Sequence, residues 1–378
     1  MRTAHSRWAP TGWRQFLPPP QRLVVSDGEL AALIVCTLVT TVGLAGDIAR
    51  HLQNPDNLAG DFLSGWHLVL YGGVASVGVW IALGALRRGP AFVGSVPTTT
   101  LGFMILSAGG AVDALWHEVF GTEKAVEALV SPPHLVVFTG LMCLLTSPLV
   151  LLWTRPIKRL EWVPSVAATV SVVSALLVTT LFTGFLSPMA SGLSLQPGYV
   201  EPLVGESLAD YDQVRGLGIA IWTAALVAAG FSILLTRFRI KPGLLLLGFI
   251  AIGVPGVVLS AGAGLSGSTS LAQATSLPMF YGFVAGGIVF ELGVLLWARP
   301  TLGRATASVV CGVASAMIWA VTFFFLHLDH RLGWEEALGA GAITLSGLVG
   351  ATVAALVTLP VPGISASKLQ GEDAAVER

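Results

Sequence analysis

Charge is scarce in this chain. Only 11% of its 378 residues are charged, against about a quarter in a soluble domain, so an ordinary water-solvated surface is excluded. No basic face is present and the net charge is −1, which excludes a nucleic-acid binder. Cysteine is nearly absent. Cys36, Cys143 and Cys311 all fall inside apolar runs and form no CxxC pair, so neither a thiolate metal knot nor a disulfide framework is expected. The glycine-rich stretch from Ala261 to Gly267 has no lysine and follows no strand. It is expected to be an outer loop rather than a phosphate cradle.

Hydrophobic residues, in contrast, make up 54% of the chain and the mean hydropathy is +0.79. A bilayer core of about 30 Å needs about 20 apolar residues per helix. Ten stretches qualify: 28–49, 63–86, 96–118, 132–153, 163–186, 216–236, 242–262, 275–297, 305–327 and 338–359. The expected fold is an all-α polytopic transmembrane bundle of about ten helices. Residues 1–27 form a polar tail with Pro18, Pro19 and Pro20 and precede a first helix that is retained rather than cleaved. Residues 28–153 hold the first four spans and residues 154–361 the other six. Residues 362–378 form a short, polar, disordered tail.

Lysine and arginine set the orientation. With the N-terminal tail in the cytoplasm, the inner segments hold Arg87 and Arg88, then Arg155, Lys158 and Arg159, then Arg237, Arg239 and Lys241, then Arg299 and Arg304. The outer segments hold only Arg50, Lys124, Arg215 and Arg331. Both termini are therefore expected inside. Every histidine except His5 then falls at an outer helix end: His51, His67, His117, His134, His327 and His330.

Self-similarity is the most informative feature. The first span ends in Asp47-x3-His51 and the third in Asp113-x3-His117. The second begins with His67-Leu68-Val69 and the fourth with His134-Leu135-Val136. The offsets are 66, 66 and 67 residues, as expected of a duplicated helical hairpin. Residues i and i+4 share a helix face, so each Asp and its following His can address one point, and the second His arrives from the neighbouring helix. Two imidazoles and a carboxylate with coordination positions left open form the pattern of a catalytic rather than a sealed structural metal centre. The bland alternative is an Asp–His hydrogen bond that fixes each hairpin. The metal ligands expected are Asp47, His51, His67, Asp113, His117 and His134, with His327 and His330 as further candidates. Asp61 or Ser64 would orient His67 or simply cap its helix. Met189 and Met279 are weaker candidates as soft ligands. Glu291, the one acid well inside a span, would either relay protons or ions or hydrogen-bond to Tyr281 or a neighbouring helix.

The Asp-x3-His pattern followed by a His on the next helix resembles the metal site in the C-subunit of copper membrane monooxygenases, the particulate methane and ammonia enzymes, where a related triplet also recurs. The resemblance covers positions 47–134 and implies metal ligation by Asp47, His51 and His67 and by Asp113, His117 and His134. It leaves the other six spans without a counterpart. More broadly the chain looks like bacterial multi-pass membrane proteins that carry an Asp-x-x-Trp-His and a Pro-Pro-His-Leu motif, a likeness that implies no activity.

Three functions follow as expectations. The first is a copper-dependent oxidase or monooxygenase-like protein of the cell membrane. Its site lies on the extracytoplasmic side, with iron or zinc as alternative metals, and a small apolar substrate reaches it through the lipid bilayer. The second is a transition-metal transporter or copper-handling protein, with Glu291 on the inward path. The third is a zinc-dependent membrane hydrolase using Ser64, Asp113, His67, His327 and His330. Homo- or hetero-oligomers are compatible with all three, and the sequence names no catalytic residue.

Overall fold

The computed structural model describes residues 24–53, 65–121, 131–153, 155, 160–182, 206–266, 271–297, 303–328 and 334–359. Among them there are eleven helices and no strand. We number them α1 (Asp27–Gln53), α2 (Gly65–Arg88), α3 (Ala91–Ser95), α4 (Pro97–Phe120), α5 (Pro132–Trp153), α6 (Trp162–Phe182), α7 (Glu206–Arg237), α8 (Leu244–Ser266), α9 (Leu271–Trp297), α10 (Arg304–Leu328) and α11 (Glu336–Val357). Nine of these are long and apolar enough to cross a membrane among the described residues. The remaining long one, α8, has a described apolar part at Leu244–Pro255. The chain is a multi-pass membrane helical bundle.

Four boundaries lie four or more residues outside the expected runs: α1 ends at Gln53, α7 starts at Glu206, α8 ends at Ser266 and α9 starts at Leu271. Helix α8 continues through Ser266, so the glycines at 262 and 264 are helical rather than part of a loop. Glycine is a poor helix former in water, but in a membrane the backbone must satisfy its own hydrogen bonds, which favours helix regardless. Helix α7 starts at Glu206, so the backbone of Glu206, Asp210 and Asp212 is helical instead of forming an outer loop.

The helix starts have local causes. Ser26 and Glu29 form a capping box: Ser26 N donates to Glu29 Oε2 at 2.7 Å and Glu29 N to Ser26 Oγ at 3.3 Å. Pro97 occupies the first turn of α4, where its missing N–H costs nothing. The capped start of α1 is also tied to its neighbours. Arg88 at the end of α2 reaches Glu29 at 2.9 Å, and Arg155 beyond α5 reaches Asp27 at 3.1 Å. Arg237 donates to the Trp153 carbonyl at 2.7 Å, and Lys241 pairs with Glu161 at 2.8 Å. These basic residues gather at one end of the bundle. Asp47, His67, Asp113, His117 and His134 lie at the opposite helix ends.

Helix α1 packs on α2, and α4 on α5; α2 also touches α4, and α1 touches α5. Glycines set the close approaches. A Cβ at Gly43 would lie 2.4 Å from Leu70 N, and one at Gly73 2.6 Å from Thr40 N. In the α4–α5 pair a Cβ at Gly109 would lie 3.1 Å from Val137 N, and one at Gly140 2.5 Å from Leu106 N. Small residues at such crossings let membrane helices come together without a hydrophobic driving force. In the remaining helices a buried aromatic cluster joins α7, α8 and α9, with Phe231, Phe249 and Phe290 ring centroids 4.7–5.5 Å apart.

Candidate metal centre

The C-terminal turns of α4 and the first turn of α5 build the best-defined site. Asp113 and His117 stand four residues apart on α4 and share a face. Asp113 Oδ2 lies 3.5 Å from His117 Nε2, and Asp113 Oδ1 lies 3.5 Å from His134 Nε2. Ligand atoms from all three residues fall within 4.8 Å of one another, the one such group of three among the described residues. The two imidazole centroids are 6.0 Å apart.

These separations exceed the roughly 2.7–3.2 Å of an N–H···O hydrogen bond. Asp113 Oδ1 is buried and makes no hydrogen bond. An unpaired buried carboxylate oxygen is costly. An ion with bonds of about 2.0–2.1 Å holds tetrahedral neighbours about 3.3 Å apart, close to the spacing seen. The residues therefore fit a cation better than they fit one another.

The far nitrogens of both imidazoles are engaged. His117 Nδ1 faces the Gly121 carbonyl at 3.4 Å. A carbonyl only accepts, so Nδ1 donates in that contact, and in the neutral ring this leaves the Nε2 lone pair for a ligand on the Asp113 side. Gly121 closes α4 with a φ of +82°, donating its own N–H to the His117 carbonyl at 3.0 Å. A side chain would strain that backbone. His134 Nδ1 lies 2.7 Å from Ser131 Oγ, which leaves Nε2 to face Asp113. Such outer partners fix ring orientation in metal sites. Ser131 also accepts the Leu135 N–H at the start of α5, so one residue both begins the helix and aims its histidine.

From the sequence, an orienting partner is expected before His67, at Asp61 or Ser64, and none before His134. The signal for Ser131 was present: Ser64 and Ser131 each stand three residues before their histidine, 67 residues apart. Asp61 and Ser64 lie outside the described residues. Replacing Ser131 with Ala frees the His134 ring and is expected to weaken metal binding about 10–100-fold, measured by calorimetric titration of the purified protein.

In the first hairpin, His67 Nε2 lies 3.3 Å from Asp47 Oδ2, so two of the three expected ligands meet. His51 is on the last turn of α1, and its side chain lies outside the described residues. The His67 ring also stacks on Tyr71, with centroids 5.7 Å apart.

The other candidates are placed differently. His327 is exposed on the last turn of α10 and joins no group of three ligands among the described residues; His330 lies outside them. Met279 is buried in the apolar core, and Met189 is outside the described residues. Glu291 is buried and accepts from the backbone of the neighbouring helix. Its Oε1 takes the Gly243 N–H at 2.9 Å and its Oε2 the Leu246 N–H at 3.1 Å. It caps the start of α8, where amides lack intrahelical partners and the helix dipole favours negative charge. Tyr281 instead packs against Phe325, centroids 4.7 Å apart.

Comparison with protein-family models, with curated proteins and with solved structures returns no match. The functional reading therefore rests on the chain's own chemistry.

Proposed function

We propose that this chain is an integral membrane metalloprotein that binds a transition metal at Asp113, His117 and His134. A second, related site is formed by Asp47, His51 and His67. The observation that carries the reading is the convergence of three ligand atoms within 4.8 Å around a buried Asp113 oxygen that makes no hydrogen bond. The shared Asp-x3-His spacing and the parallel glycine contacts of the two hairpins support their origin as copies of one unit.

Copper is the metal proposed, with iron or zinc as alternatives. Imidazole and carboxylate donors suit all three, and copper binds such sets most tightly. The basic residues at the other end of the bundle support an extracytoplasmic placement of the site, away from cytosolic thiols. The activity proposed is copper-dependent oxidation of a small apolar substrate. Leu115, Val119, Phe120, Leu135 and Val136 expose apolar surface around the ligands, which suits a substrate arriving from the lipid. The chain's own residues would hold the ion, orient the imidazoles through Gly121 and Ser131, and keep one flank open. A transporter would need an acid free to pass ions inward, and the cap formed by Glu291 argues against that path.

Elemental analysis of the purified protein tests the reading, together with oxygen uptake in the presence of small hydrocarbons or other apolar compounds and an added two-electron donor, which reduces the second oxygen atom to water. Bound copper and substrate-dependent oxygen consumption are expected. Full occupancy by zinc alone would overturn the oxidase assignment, and the absence of any bound transition metal would overturn the metalloprotein.

A further inference from the structure

The two hairpins keep the same ligand pattern but differ in what stands beside it. On α1, Gly46 immediately precedes Asp47; on α2, Trp66 immediately precedes His67. The Trp66 indole lies directly on the bare Gly46 backbone. A Cβ at Gly46 would fall 2.2 Å from Trp66 Cε3 and 2.3 Å from Cδ2, closer than any side chain allows. The ring therefore bridges α1 and α2 beside the point where His67 Nε2 meets Asp47 Oδ2 at 3.3 Å. Trp66 is 42% exposed, so one face packs on the helix and the other looks out of the bundle. The counterparts in the second hairpin are Val112, 66 residues after Gly46, and Pro133, 67 residues after Trp66. Val112 carries the Cβ that Gly46 lacks and is 52% exposed; Pro133 is buried. That flank of the Asp113–His117–His134 group thus holds an exposed valine where the first hairpin holds an indole.

On the metal-binding reading above, we propose that the two sites differ in access. The Trp66 indole, seated on Gly46, closes the α1–α2 site, and the α4–α5 site is the one that admits an outside ligand. An ion beside Asp47 and His67 loses its place, or gains a further ligand, only past a ring packed on backbone. Swinging that ring away forfeits its many small contacts with α1, and a modest rise in barrier slows exchange about tenfold. The exposed valine imposes no such step at the second site. The first site therefore holds its ion, while dioxygen and the apolar substrate meet the metal between α4 and α5.

The test loads the purified full chain with Cu(II) and applies two probes, azide and an excess of chelator. The natural protein is expected to bind one azide per two coppers, read from the charge-transfer band. Its copper should pass to the chelator in a fast and a slow phase about tenfold or more apart. His134→Ala assigns the phases: it should remove the fast phase and the azide band and keep the slow phase. Trp66→Ala should make the slow phase fast and admit a second azide. Gly46→Ala expels the same ring from the opposite helix and should act alike, so a fault of folding in one variant is told from an opened site. Equal rates in the natural protein, a slow phase unchanged in both variants, or a slow phase lost in His134→Ala would each overturn the closure and leave metal binding standing. A single copper that vanishes in His134→Ala would likewise remove the first site and its closure alone. Uptake of no copper at all would remove the metal-binding reading itself.

Discussion

Replacing His117 and His134 together with Ala is expected to empty the α4–α5 site, lowering its metal affinity by more than the 10–100-fold that loss of an outer partner produces. The reason is the donor set. With both imidazoles gone, Asp113 alone remains of the group of three, and one carboxylate on a partly hydrated helix end does not hold a transition ion against water. Elemental analysis of the variant beside the natural protein reads the result, and metal content lower by one equivalent is the expected outcome. Unchanged content would assign the ion elsewhere and sink the site. The variant should remain folded, because both side chains are partly exposed at 21% and 25% and neither belongs to the buried apolar core. Loss of the metal with retained thermal stability separates a functional site from a merely structural Asp–His contact.

Glu291→Leu is expected to destabilise the protein by about 3–5 kcal/mol while leaving metal content intact. Glu291 is 7% exposed and accepts two backbone amides at the start of α8. Removing the carboxylate leaves both part-buried N–H groups without their acceptor, each costing about 1–3 kcal/mol. Glu291→Gln retains one acceptor oxygen and is expected to lose about half as much. Thermal unfolding in detergent should show a midpoint roughly 5–10 °C lower for the leucine variant. If Glu291→Gln instead left stability untouched and abolished metal uptake into vesicles, the cap would be incidental and the transporter reading would return.

Much of the architecture was legible because membranes impose simple rules. Runs of about 20 apolar residues become helices since nothing else satisfies the backbone in lipid, and the described helices fall where the runs predict them. The ends were less legible. The extension of α7 to Glu206 and of α8 to Ser266 passes through polar or glycine-rich sequence that gives no hydropathy signal. At the site, Asp113 and His117 were readable from their spacing because four residues make one helical turn, and His134 from its counterpart His67. The roles of Ser131 and Gly121 are not legible in the sequence. Ser131 acts through a ring three residues away, and Gly121 through a carbonyl whose direction depends on its φ.

The sequence by itself determined the membrane-spanning helices, the two Asp-x3-His turns and the pairing of each with a later histidine, because these depend on length and helical period within a single segment. Only the tertiary structure decided that Glu291 caps α8, that Asp113 keeps a buried oxygen without a hydrogen bond, and that Asp113 meets His134 across two helices. Those facts depend on which helix faces which, and glycine contacts such as Gly78 against Phe103 set that packing across stretches of chain that share no local signal.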